Sequence, residues 1–195
     1  MEHKQFKGTR PEFVKTFGNY IYNITKGTGI LPETLIAQAI LESSGKYGGS
    51  WLVGGSKLSR EANNFFGIKC GSSWNGDKYE INTTEWNQKG GYYYNVNACF
   101  RKYRTVEDSI KDYVEFLQKN QRYKKALEQK TIKTQAKELQ KAGYATSPDY
   151  AELVYKVYLT VKNDIQGIKK ENKTFEGFNW FIPLAVLSLL IIFEE

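Results

Sequence analysis

The stretch Pro32-Glu33-Thr34-Leu35-Ile36-Ala37-Gln38-Ala39-Ile40-Leu41-Glu42 constrains this chain more than any other. Proline suits the first turn of a helix, where its missing N–H costs nothing and its fixed φ is already helical. From Leu35 to Leu41 almost every position is apolar, so this helix has no wet face and should run through a core. It then ends on a carboxylate and breaks into Ser43-Ser44-Gly45. Burial beside apolar neighbours penalises the charged form of a carboxyl, so Glu42 is expected to hold its proton near neutral pH. A protonated acid at the mouth of a cleft is what glycosidic bond cleavage requires. A helix-end Glu reaching into solvent is the plainer alternative, and the segment alone leaves both open.

Elimination narrows the chemistry. The chain has one histidine, His3, close to its N-terminus, and two cysteines, Cys70 and Cys99. That leaves no Cys/His zinc site and no Ser-His-Asp or Cys-His apparatus in the body of the domain. No Gly-rich phosphate loop follows a strand, so neither a cofactor nor a metal is expected. Carboxylate chemistry is the main catalytic option left. The net charge of +7 is spread along helix-like stretches and accompanies no nucleic-acid-binding signature, so an anionic envelope is the expected partner and nucleic acid is not. Fourteen Tyr, 11 Phe and 4 Trp exceed what a core of this size obviously needs, so some rings are expected in a cleft.

The hydrophobic pattern gives the organisation. Residues 1–9 read as a tail without the apolar stretch of a secretory leader. Helical spacing follows over Arg10–Lys26, Pro32–Glu42 and Ser56–Asn63. From Cys70 to Arg104 the chain turns to Gly, Asn, Thr and aromatics. It alternates at 78–83 and 92–103, which reads as a hairpin or a small three-stranded sheet with turns at Asn75-Gly76-Asp77 and Lys89-Gly90-Gly91. Helical spacing resumes at Val106–Lys119, Tyr123–Glu128, Ile132–Ala142 and Asp149–Asn163. The body is therefore α+β, a mainly helical lobe with one β-excursion. Residues 164–177 are polar and Lys-rich and read as a linker. Residues 178–193 carry no charge and include Trp180 and Pro183, which predicts a transmembrane anchor helix, although the run is slightly short of the about 20 residues a span usually takes.

At this level the motifs resemble a family. Ala37-Gln38-Ala39-Ile40-Leu41-Glu42-Ser43 is followed by Ser56-Lys57-Leu58-Ser59-Arg60-Glu61-Ala62-Asn63-Asn64-Phe65-Phe66-Gly67-Ile68-Lys69. Then come Phe100-Arg101-Lys102-Tyr103 before Glu107-Asp108-Ser109, and Ala142-Gly143-Tyr144-Ala145-Thr146 before Asp149-Tyr150-Ala151. These four blocks, in order across residues 10–163, resemble the endo-β-N-acetylglucosaminidases of glycoside hydrolase family 73, which include flagellar peptidoglycan hydrolases and autolysins. The resemblance implies a lysozyme-like fold and cleavage of peptidoglycan glycan strands after N-acetylglucosamine, with Glu42 as general acid. A muramidase, a lytic transglycosylase and a non-catalytic peptidoglycan-binding protein are the alternatives.

The resemblance also implies roles for other residues. Thr83-Thr84-Glu85-Trp86 is similar to a Thr-Thr-Glu-Tyr stretch of the flagellar enzymes, which makes Glu85 the candidate base. Glu80 and the substrate's own acetamido group are its competitors. Tyr144 falls on a tyrosine implicated in activity. Asn64, Phe65 and Phe66 are expected to shape a substrate-binding cleft floor. Tyr47 is expected to supply an aromatic wall where many relatives carry Gly-Trp-Gly, and Ser147 departs from the Asp usual there. Cys70 and Cys99 recur in some relatives and are expected to form a disulfide bracketing the excursion, which needs an oxidising compartment. Lys169, Lys170 and Lys173 lie on one side of the apolar run and Glu194 and Glu195 on the other. The positive-inside rule would then leave the domain in the cytoplasm, so a phage lysin or a virion enzyme in a viral membrane is one expected setting.

Overall fold

The computed structural model describes residues 5–87 and 92–178, with side chains at 83–95 and beyond 169 left aside. The chain runs α1(Arg10–Ile24), α2(Pro32–Ser43), β1(Gly45–Tyr47), β2(Ser50–Leu52), α3(Lys57–Ala62), β3(Lys78–Asn87) and β4(Tyr92–Arg101). It continues through α4(Val106–Lys119), a 3-10 turn, α5(Lys124–Leu127), α6(Ile132–Lys141) and α7(Tyr150–Phe178). This is a helix-rich mixed α/β fold with two small antiparallel sheets, β1–β2 and β3–β4.

Helix α2 is the axis of the core. Every residue from Leu35 to Ile40 is fully buried, Gln38 included, as an all-apolar helix requires. Burying each of Leu35, Ile36 and Ile40 contributes about 1.5–3 kcal/mol. Helices α1, α6 and α7 pack around it. Gln135 of α6 locks its entry, accepting from the Leu31 N–H and donating to the carbonyls of Gly29 and Ala126. Helix starts follow local chemistry. Thr9 with Glu12 and Thr105 with Asp108 form capping boxes, and Ser56 caps α3.

One expectation changes. The stretch 164–177, read as a linker, continues α7 as helix to Phe178, and Ile165 and Ile168 are buried. Gly18 of α1 shows how closely these helices meet, since a Cβ there would lie 2.2 Å from Ile168 Cδ1. The folded lobe thus extends at least to Ile168. The excursion is a two-stranded hairpin, with Lys78 opposite Arg101 and Glu85 opposite Tyr94, to which Lys69 adds one bridge at Phe100. Cys70 and Cys99 are disulfide-bonded at its base, with their Cα atoms 5.4 Å apart. Among the described residues no helix is long and apolar enough to cross a membrane. The expected anchor, 178–193, lies outside the described residues beyond Phe178.

Candidate active site

Glu42 occupies the last turn of α2, and the chain just beyond it is pinned. The Ser43 carbonyl accepts from the Ser56 N–H at 3.0 Å and from the Ser59 hydroxyl at 3.1 Å, and Ser43 Oγ accepts from the Gly54 N–H at 3.2 Å. The Glu42 carboxyl faces the turn around Gly67. A Cβ at Gly67 would stand 3.9 Å from Glu42 Oε2, and the residue's φ of 65° favours glycine. Burial pushes the Glu42 carboxyl up to about 7. The negative end of the α2 dipole acts in the same direction. Among the described residues no hydrogen bond or ion pair reaches this carboxyl to offset that penalty. It is a weak acid that holds its proton where most carboxyls have lost theirs.

Behind Glu42 stands a cluster of phenols. Tyr113 donates to Gln38 Oε1 at 2.8 Å, and Gln38 Nε2 donates to Tyr150 Oη at 2.6 Å. Gln38 lies one helical turn before Glu42 and so on the same face of α2. Tyr144 donates to the Phe66 carbonyl at 2.7 Å, and its ring meets those of Tyr113 and Tyr150 at 5.7 and 5.6 Å. Burial first, and then nearby charge that includes Glu42 for Tyr144 and Tyr150, holds these hydroxyls well above the ordinary phenol range. They stay protonated donors at any pH the domain meets. Gln38, Tyr113 and Tyr150 had no role in the sequence reading. The one signal for Gln38 was a lone amide inside an apolar run.

The remaining expected site residues are placed differently. Asn64, Phe65 and Phe66, expected on the cleft floor, are 1, 0 and 2% exposed and offer almost no surface to a ligand. Asn64 spends its amide on the backbone: Nδ2 donates to the carbonyls of Ile68 and Arg101, while Oδ1 accepts from the Phe66 and Ile68 N–H groups. Phe65 stacks near Phe13, and Phe66 lies flat on Tyr113 with ring centroids 4.1 Å apart. These residues build the wall that carries Gly67. Tyr47 is 40% exposed, but Lys7 and Arg60 already pack over its ring at 4.5 and 5.1 Å.

Glu80 is exposed on β3 opposite Cys99. Glu85 lies farther along the same strand, its backbone in register with Tyr94. On the described part of β3, the Tyr79 hydroxyl bonds Glu61 of α3. A concavity of about 670 Å³ lies away from Glu42, between residues 73–76 and the outer side of α4. It is lined in part by Trp74, Phe116 and the Arg101–Asp112 ion pair. No group of three or more His, Cys, Asp or Glu among the described residues is placed to hold a metal.

Glu42 is thus a desolvated helix-end carboxyl without a counter-ion among the described residues, on a helix-rich lobe with a stapled hairpin, and such a group can hold and give a proton near neutral pH. Comparison with known proteins gives the family. Residues 18–163 match the glucosaminidase family model, described as mannosyl-glycoprotein endo-β-N-acetylglucosaminidase, and the chain belongs to that family. It is 37% identical over 172 residues to the peptidoglycan hydrolase FlgJ of Vibrio parahaemolyticus, covering 85% of this chain and 51% of that protein. The FlgJ of Pseudomonas aeruginosa is 38% identical over 79% of this chain and 37% of its own length. The chain thus spans about half or less of these curated relatives. Its fold is similar to the crystal structure of a peptidoglycan hydrolase from Sphingomonas sp. A1, with TM-score 0.64, 26% identity, and coverage of 80% of this chain and 94% of that one.

Proposed function

We propose that this chain is a peptidoglycan hydrolase that cuts the glycan strand after N-acetylglucosamine, with Glu42 as general acid. The observation that carries the reading is the Glu42 carboxyl itself, held near 7 by burial with no ion pair among the described residues to offset it. Such a group has a proton to give at working pH and a driving force to give it. Glu42 donates that proton to the glycosidic oxygen as the C–O bond breaks and positive charge builds on the sugar. Glu85 on β3 is the proposed base that takes a proton from the attacking water, which requires the two carboxyls to stand roughly 6.5–9.5 Å apart. Tyr144 acts by fixing the Phe66–Gly67 segment that Glu42 faces.

The direct test is lysis of purified peptidoglycan, with mass spectrometry of the new ends. Wild type should release reducing N-acetylglucosamine ends, and Glu42→Gln should release none. Reducing N-acetylmuramic acid or anhydro ends would assign the chain to a muramidase or a transglycosylase instead. Attachment to a membrane through 178–193 is a separate part of the proposal, supported by the apolar sequence alone. Sedimentation with vesicles, lost on deleting that run, is its check.

A further inference from the structure

The β1–β2 hairpin has no part in the proposed chemistry, yet it leaves α2 directly after Glu42. Its turn is Gly48-Gly49, both with positive φ, the two-residue form that joins twisted strands. The base of the hairpin is rigid. Gly45 and Gly55 approach so closely that a Cβ on Gly55 would lie 2.3 Å from the Gly45 carbonyl oxygen. Val53, just past β2, exchanges two backbone hydrogen bonds with Gly8, at 3.2 and 2.9 Å. On this fixed scaffold stands Trp51, 69% exposed and the most exposed large hydrophobic side chain among the described residues. Unlike Tyr47, it has no ring or cation packed on it among the described residues.

We propose that Trp51, with Lys46 beside it, is a stacking platform that holds an anionic glycan strand on one side of Glu42. This inference rests on the hydrolase reading and adds a subsite to it. Indole faces are flat and apolar, matching the C–H face of a pyranose, and a ring on a short rigid strand loses little entropy on binding. Lys46 is the cross-strand partner of Trp51 and is exposed. Residues 45–52 contain no acid, so the charge beside the ring is positive and complements the carboxylates of a peptidoglycan strand. The distance is right for one continuous ligand. Lys46 lies four positions after Glu42, a Cα span of at most about 14 Å, and Trp51 sits directly across from Lys46. The ring is therefore near enough to Glu42 for one extended strand to touch both.

Binding can be separated from turnover in the full chain carrying Glu42→Gln. Adding Trp51→Ala to it should weaken binding to purified peptidoglycan strands about three- to tenfold, with Trp51→Tyr keeping most of the affinity. Lys46→Gln should weaken it less, and its effect should fade with added salt. In the active chain Trp51→Ala should raise KM on long strands with kcat kept, and leave the shortest cleavable fragments unaffected. Trp51 is exposed, so matching thermal melts should exclude misfolding. Unchanged strand affinity in Trp51→Ala, or equal losses on long and short substrates, would overturn the platform. So would a Trp51→Ala effect confined to vesicle binding or self-association. A chain that binds strands through Trp51 but never cuts them would sink the hydrolase reading and leave this one standing.

Discussion

Replacing Glu42 with Gln should stabilise the protein, and by an amount that depends on pH. The ordinary carboxyl value is 4.5 and the folded value about 7. Between these limits the unfolded chain releases a proton that the folded chain keeps, so the wild type loses stability as pH rises. The contribution of the neutral acid is fully present below 4.5, is lost progressively, and is gone above about 7. At about 1.4 kcal/mol per pH unit the interval sets a ceiling near 3 kcal/mol. Glu42 keeps some contact with solvent, which screens the charge, so about 1–2 kcal/mol is the expected gain. Gln has the same shape and no charge, and for a domain of this size that gain means melting about 2–8 °C higher at pH 8. Thermal melts of both proteins from pH 4 to 8.5 would show the two curves diverging over that window. A melting difference that stays constant from pH 4 to 8.5 would refute the argument that Glu42 is desolvated. The same titration should make kcat/KM fall above about pH 7, as the acid loses its proton.

Three further outcomes follow from named contacts. Tyr144→Phe leaves the Phe66 carbonyl without its donor, so it should cost about 1–3 kcal/mol in urea melts and lower kcat while KM changes little. Asn64→Ala removes hydrogen bonds to four backbone groups and should destabilise by about 3 kcal/mol, with residual activity tracking the folded fraction. Joint Cys70→Ser and Cys99→Ser, which opens a loop with 29-residue separation, should cost about 3.5 kcal/mol and increase protease cutting within 70–99.

Much of the lobe was legible because its signals are local. Thr9 with Glu12, Ser56, and Thr105 with Asp108 mark helix starts by satisfying N–H groups within one turn, and Pro32 does so by lacking an N–H that would need a partner. The β1–β2 hairpin was not, since strands of three residues are too short to show alternation. The length of α7 was hidden by the polar, Lys-rich composition of residues 164–177. Its buried stripe, Val154, Val157, Val161, Ile165 and Ile168, continues at helical spacing into the start of the stretch read as a linker. Glu42 could be found because one carboxyl ends an apolar run. Its surroundings could not, because Gln38 meets Tyr113 and Tyr150 across separations of 75 and 112 residues, which no local pattern encodes.

The proposed acid and the centre of the core belong to one element, α2. A site carried on a surface loop can open and close while the rest of the protein holds. Here the amides just ahead of Glu42 lie in the most deeply buried segment, clamped at the entry by Gln135 and just past the exit by Ser43. Their hydrogen exchange should therefore proceed only through global unfolding, at rates set by the whole domain's stability. The acid has no partial opening of its own. Any regulation of this site must act on what surrounds α2, such as the Gly67 turn that the carboxyl faces, while α2 stays as it is for the lifetime of the fold.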